Sequence, residues 1–309
     1  MAYERKDTLS LIGNTPLLEL RRLHNGPGRL LAKAELFQPG GSVKDRPALK
    51  IIQLAYQSGL LKAGQPVVEM TSGNMGAGLA VVCAVYGNPF VAVMSSGNSP
   101  ERAKMLRGLG AEVVLVSQVD GAPGQVTGAD IARATEVAKE FAQERGAFYV
   151  DQFNNPGSVL AHYETTGPEI WNELDGELSA FVASIGSGGT FIGTSKFLKS
   201  KNSKVKCIPA EPEGADILAT GKVIKPRHLL QGTGYGIVPP HWDSDLVDEF
   251  LTVTDDEATS MRTELANKEG LFVGYSAAAN VVAAAKVLRS LNDEKATVVT
   301  VLCDTGLKY

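Results

Sequence analysis

The run Pro66-Val67-Val68-Glu69-Met70 passes directly into Thr71-Ser72-Gly73-Asn74 and then into an apolar, small-residue stretch from Gly76 to Gly87. A short β-branched run, a turn-forming tetrapeptide and a segment able to bury every face make one strand-loop-helix unit. The unit recurs. Residues 90–94 are followed by Ser99-Pro100-Glu101, where a serine can cap and a proline can take the first helical position of a stretch reaching Gly110. Residues 112–116 form the next strand candidate, 129–146 place Ile131, Ala134, Val137 and Phe141 on one helical face, and strand character resumes at 147–150. Further on, 180–184, 205–210 and 298–302 read as strands, with 191–198 and 277–288 as intervening helices. This alternation predicts an α/β chain of parallel strands joined by crossover helices.

At 309 residues the chain exceeds one ordinary domain, so two lobes are expected, with a boundary near residues 151–156. Glycine stands out at 33 residues, above the usual share of about 7 %, which asks for many permissive backbone positions. A net charge of −4 gives no field for nucleic acid. Cys83, Cys207 and Cys303 are scattered and odd in number, offering neither a disulfide framework nor a metal site. His24, His162, His228 and His241 lack metal-ligand spacing and read as structural or surface residues, and Trp171 and Trp242 as packing anchors. The charged start and the lack of any apolar window of about 18 residues point to a cytoplasmic protein without a membrane span.

Open α/β sheets bind ligands beyond the carboxyl ends of their strands, so the loops there carry the chemistry. Gly186-Ser187-Gly188-Gly189-Thr190 opens a helix, and its amides, hydroxyls and helix dipole suit a phosphate; a plain tight turn is the alternative. It matches neither Walker A nor GxGxxG, which weakens a nucleotide reading and a dehydrogenase reading with it. Thr71-Ser72-Gly73-Asn74-Met75-Gly76 suits a carboxylate, although the same residues also serve as an ordinary helix cap. Lys44, in the stiff segment 38–47, opens a helix at the end where the dipole disfavours a cation. Such a lysine has either a chemical reason or a solvated surface position.

Together these loops resemble the pyridoxal-phosphate-dependent cysteine synthase and cystathionine β-synthase family, of the tryptophan synthase β-like fold. The landmarks run in order along nearly the whole chain: IGNTPL at 12–17, PGGSVKDR at 39–46, TSGN at 71–74, GAE at 110–112 and TTGPEIW at 165–171. GSGGT at 186–190, EPEGA at 211–215, GTGYGIVP at 232–239 and DTGLKY at 304–309 complete the set.

The resemblance implies two open twisted-sheet lobes with the active site in the cleft between them. Residues 1–42 and 152–309 would form the larger cofactor-binding domain, and 43–151 a smaller, mobile domain carrying the substrate loop. Lys44 would form the Schiff base with pyridoxal 5′-phosphate. Gly186, Ser187, Gly188, Gly189 and Thr190 would hold the phosphate, Asn74 the pyridine 3′-oxygen and Thr305 the ring nitrogen. Thr71, Ser72, Asn74, Met75 through its backbone, and Gln152 would bind the substrate carboxylate.

The implied reaction is β-replacement on an activated or free β-substituted L-serine or cysteine through an α-aminoacrylate, with a small nucleophile as second substrate. β-Elimination, as in a cysteine desulfhydrase or a serine or threonine ammonia-lyase, is the alternative, and a binding protein without turnover is a further one. A neutral Thr305 at the ring nitrogen favours elimination chemistry over racemisation, whereas the Asp304 carboxylate in its place would reverse that preference. Met75, Tyr235, Gly157-Ser158-Val159 and Tyr275-Ser276-Ala277 depart from the family pattern, so O-acetylserine with sulfide is not the necessary pair. The family commonly forms homodimers, and the same is expected here.

Overall fold

The computed structural model describes residues 7–122 and 125–309. The chain folds as two compact units: residues up to Ile12 with Gln38–Gly157, and Gly13–Phe37 with Ser158–Tyr309.

After a 3-10 helix at Thr8–Leu11 in the first unit, the second unit opens with β1 (Leu17–Glu19) and β2 (Arg29–Lys33) paired antiparallel. The first unit then runs α1 (Asp45–Gln57), β3 (Val67–Met70), α2 (Asn74–Tyr86), β4 (Phe90–Ser95), α3 (Pro100–Gly108), β5 (Glu112–Val116), α4 (Gly128–Arg145) and β6 (Phe148–Tyr149). Its strands form a parallel sheet in the order β5-β4-β3-β6. Strand alternation sorts the side chains onto two faces. Val67, Phe90, Ala92 and Met94 join a core with Ile51, Ile52, Leu79 and Val82, while Val68, Val91 and Val93 meet Ala134 and Ala138 of α4. The predicted face of α4 holds at Ala134, Val137 and Phe141, but Ile131 is 37 % exposed. Ile131 sits in the first turn of α4, and Ala138 is buried alongside Ala134 instead.

In the second unit the described strands form one six-stranded sheet in the order β1-β2-β10-β7-β8-β9. Here β7 is Ala180–Ser184, β8 Lys206–Pro212, β9 Leu251–Val253 and β10 Thr297–Val301; every pairing except β1 with β2 is parallel. Following β6 come α5 (Gly157–Ala161), a π-helical turn at His162–Thr166, α6 (Gly167–Glu173), α7 (Gly189–Lys201), α8 (Ile217–Thr220), α9 (Asp255–Glu264) and α10 (Tyr275–Leu291). α10 buries Ala277, Ala278, Val281, Ala284 and Leu288 against Leu30, Val182, Ile208 and Val298. On α7, Phe191 stacks on Phe181, with ring centroids 6.2 Å apart, and on Trp242 at 6.3 Å.

The expected strands and crossover helices are therefore present. The opening hairpin, β9 and α9 were not anticipated: two of these strands span three residues each, too short for alternation to register. Ser99 occupies the N-cap of α3 with Pro100 behind it, but its side chain makes no capping bond. Of the polar segment expected as a surface loop at 117–128, residues 123 and 124 lie outside the described residues. Its stem is tied by the Asp130 carboxylate, which accepts from the amides of Thr127 and Val119; these bonds hold the Asp130 pKa below the usual carboxylate range. Among the described residues no helix is long and apolar enough to cross a membrane.

Candidate active site

In the first unit, the geometry around Lys44 starts with a turn. Gly41 has φ +72°, a conformation that suits glycine, and its amide donates to Gln38 O at 2.8 Å. The Gly40 amide donates to the buried Asp45 carboxylate, which lies in the first turn of α1, where the helix dipole favours an anion. Lys44 is the N-cap of α1 and its amide donates to Ser42 Oγ at 3.3 Å. α2 packs directly behind it: a Cβ on Gly78 would stand 3.0 Å from Lys44 O and 3.1 Å from Asp45 Cα. The lysine backbone is thus held by a closely packed helix pair, and the side chain is partly exposed rather than freely solvated.

β3 delivers Thr71 to the mouth of α2. Thr71 is 6 % exposed, and its Oγ1 accepts from the amides of Gly76 at 3.1 Å and Gly73 at 3.4 Å. Gly73 caps α2 without a side-chain bond, so the simple cap role of Ser72 and Asn74 is not what this loop uses. Ser72 Oγ instead accepts from Arg102 Nη1 at 3.2 Å. Asn74 is the first, partly exposed residue of α2, whereas the Met75 side chain turns into the core and is 3 % exposed. Gln152 lies in the segment leaving β6, and its amide donates to Glu69 Oε1 on β3 at 3.3 Å. Thr71, Ser72, Asn74, Met75 and Gln152 are therefore all anchored at the carboxyl end of one sheet.

In the second unit, the loop 186–190 joins β7 to α7. Gly188 caps α7 with φ +88° and no side-chain bond, leaving a 13-residue helix whose N-terminus has the character of an anion site. Neighbouring backbone crowds the loop: a Cβ on Gly189 would stand 2.5 Å from Ser158 O, and one on Gly186 would collide with Gly232 O. Ser187 is buried, and Thr190 Oγ1 lies 3.2 Å from His162 Nε2. A glycine cradle, two hydroxyls and an uncapped helix end fit a phosphorylated cofactor.

Thr305 follows β10, pairs with Val273 in an isolated bridge, and its Oγ1 accepts from the Leu307 amide at 3.3 Å. The adjoining Asp304 carboxylate is fully buried and accepts from Tyr309 Oη at 2.6 Å. One of its two oxygens is thus engaged by a phenol of its own unit.

Three residues that the sequence did not place in the site organise these loops. Asn280, fully buried on α10, accepts from the Ser184 amide at 2.7 Å and donates to Val301 O at 2.9 Å and Cys303 Sγ at 3.3 Å. It ties the start of the 186–190 loop to the strand that leads to Thr305. His162, read from sequence as a structural histidine, joins Thr190 to Thr166, whose Oγ1 is 2.9 Å from Nδ1, from a π-turn of the kind often found at functional sites. Glu69 is the third. Its one signal in the sequence is a carboxylate inside an apolar strand, as Asn280 is a lone amide inside an alanine-rich helix.

The thiols offer no competing nucleophile in the cores. Burial pushes Cys83 up to about 12 and Cys207 up to about 11, so both stay protonated at neutral pH.

A family model described as "Pyridoxal-phosphate dependent enzyme" matches residues 8–304, and the chain belongs to this family. It is an enzyme that uses pyridoxal phosphate. Within that class it resembles the cysteine synthases: the cysteine synthase of Staphylococcus aureus (strain Mu50 / ATCC 700699) is 37 % identical over 312 residues, covering 100 % of this chain and 97 % of the relative. Among solved structures, a hydrogen sulfide-producing enzyme from Fusobacterium nucleatum superposes with a TM-score of 0.91 at 34 % identity, covering 100 % of this chain and 99 % of that one. The O-acetylserine-dependent cystathionine β-synthase of Helicobacter pylori gives 0.89 at 34 % identity, covering 100 % and 98 %. The fold is that of the tryptophan synthase β-like enzymes, and the reaction class is β-replacement.

Proposed function

We propose that the enzyme replaces an activated β-substituent of an L-serine derivative with a small thiol or sulfide nucleophile, with Lys44 as the cofactor-bearing and proton-moving residue. The observation that carries this reading is the pairing of roles within the first unit. Lys44 is held at the head of α1 by Gly78 of α2, and α2 itself begins at the Thr71–Gly76 loop, so the base and the carboxylate loop share one rigid support.

Pyridoxal phosphate supplies the electron sink that makes the α-proton removable. Gly186, Ser187, Gly188, Gly189 and Thr190 would hold its phosphate, Asn74 its 3′-oxygen and Thr305 its ring nitrogen. Thr71, Ser72, Asn74, the Met75 amide and Gln152 orient the substrate carboxylate. Lys44 then takes the proton from Cα and returns it once the nucleophile has added at Cβ. One Asp304 oxygen accepts from Tyr309, and a neutral Thr305 at the ring nitrogen would favour loss of the β-substituent over racemisation.

The Met75 side chain is buried, whereas Tyr235, another departure from the family pattern, is exposed. It is 48 % exposed, and its Cε2 lies 3.8 Å from where a Cβ on Gly186 would stand. The ring therefore stands beside the loop proposed to hold the phosphate. The family resemblance further leads us to expect a homodimer in the cytoplasm.

The test is a matrix of O-acetyl-L-serine, L-serine and L-cysteine against sulfide, L-homocysteine and no nucleophile. Product that requires a nucleophile supports replacement. Pyruvate and ammonia at equal rates without one would favour elimination, a reading that the likeness to a hydrogen sulfide-producing enzyme keeps in view.

A further inference from the structure

We infer that Glu69 is a positioning residue that fastens the Gln152 segment to the strand bearing Thr71, so that the two halves of the substrate-carboxylate site act as one. The inference rests on the assignment of Thr71, Ser72 and Gln152 to the substrate carboxylate.

The β3–β6 ladder is short. It pairs Val67 with Phe148 and Val68 with Tyr149, and the Val150 amide donates to Val68 O at 3.1 Å. At the next position the backbone partnership stops, because Asp151 turns into the left-handed region with φ +52°. A non-glycine residue there is strained, and surrounding contacts must hold it. The Glu69 side chain supplies them. It is 2 % exposed, and its two oxygens accept from the amides of Asp151 at 2.9 Å and Gln152 at 3.3 Å. A side chain on one strand thus continues the ladder past the point where the neighbouring main chain leaves it.

The turn beyond is stitched to the same place. Asp151 O accepts from the amides of Asn154 at 3.0 Å and Asn155 at 2.8 Å, and Asn155 Nδ2 donates to Val150 O at 3.0 Å. Glu69 precedes Thr71 by two residues, so a shift of the Gln152 segment changes its distance from the carboxylate loop directly. Burial raises the Glu69 pKa to about 8, against the opposing pull of the Gln152 and Asp151 amides and of the Gln152 side chain, which also bonds to it. The nearby Tyr149 and Asp151 groups are themselves acidic or neutral and give no countercharge. A neutral carboxyl retains acceptor capacity, so the link does not depend on a buried ion.

Glu69→Gln keeps one good acceptor and Glu69→Leu keeps none. The two variants should therefore be graded. In hydrogen exchange of the cofactor-free and cofactor-loaded proteins, the Asp151 and Gln152 amides should lose protection modestly in Glu69→Gln and by ten-fold or more in Glu69→Leu. KM for the amino-acid substrate should rise in the same order, several-fold and then ten-fold or more, with kcat and cofactor affinity changing less than two-fold. Ser72→Ala and Gln152→Ala serve as controls on the underlying assignment. If both controls raise KM while Glu69→Gln and Glu69→Leu leave KM and amide protection as in the parent, the inference is wrong and the assignment stands. If neither control raises KM, the assignment fails and the inference with it. Should Glu69→Leu not fold, unchanged protection and KM in Glu69→Gln would still overturn the proposal.

Discussion

The loops at Thr71–Gly76 and Gly186–Thr190 are built on the same plan, a parallel strand feeding a helix whose N-cap is glycine without a side-chain bond. They reach their shapes by different means. The first is shaped by side chains: Thr71 Oγ1 holds two amides, Arg102 reaches Ser72, and Glu69 fastens the neighbouring Gln152 segment. The second is tied at its ends by Asn280 and His162, but its glycines are shaped by backbone packed against backbone, with Ser158 O and Gly232 O standing where β-carbons of Gly189 and Gly186 would be. Polar side-chain links can be retuned one group at a time, whereas a close-packed backbone tolerates almost no change. A variable amino-acid substrate suits the first kind of loop and an invariant phosphate the second.

The sharpest way to break this contrast is Gly186→Ala. Its Cβ meets a carbonyl rather than a movable side chain, so cofactor affinity should fall on the order of a hundred-fold with parallel loss of thermal stability. Equilibrium dialysis of pyridoxal phosphate checks it, and an unchanged affinity would remove the rigid-cradle half of the comparison. Thr71→Val comes next. It deletes an acceptor for two amides at little cost in volume, so KM for the amino acid should rise by about ten-fold while cofactor affinity stays near the parent value. A loss confined to cofactor binding would invert the roles of the two loops.

A smaller effect concerns pH. The native Glu69 pKa of about 8 stands above the ordinary 4.5, so the folded protein holds this proton more tightly than the unfolded chain does. Its contribution to stability is full below about pH 4.5 and is lost as pH climbs through about 8. Urea midpoints at a series of pH values should therefore fall less steeply between about pH 4.5 and 8 in Glu69→Gln than in the parent. Parallel curves would show that Glu69 titrates at its ordinary value.

Much of this was legible in the sequence because it is local. Val67–Met70, Glu112–Val116 and Ala180–Ser184 announce themselves by apolar runs, and the loops after them by glycine and hydroxyl residues in fixed order. Lys44 was visible as a cation at the wrong end of a helix dipole. The links that hold the site were not legible, since their partners are distant along the chain: Glu69 reaches Gln152, Asn280 reaches Ser184 and Val301, and Thr190 reaches His162. No periodicity records such a contact. Met75 shows the same limit from the other side, because its place in the motif drew attention to a side chain that packs in the core.

The central claim is that Lys44, among 30 basic residues, carries the cofactor. Borohydride reduction of the loaded enzyme, followed by digestion and mass spectrometry of the peptides, tests it directly. The account predicts a reduced pyridoxyl-phosphate adduct on the peptide containing Lys44, absent from Lys44→Ala. An adduct on any other lysine, with the Lys44 peptide unmodified, would contradict it.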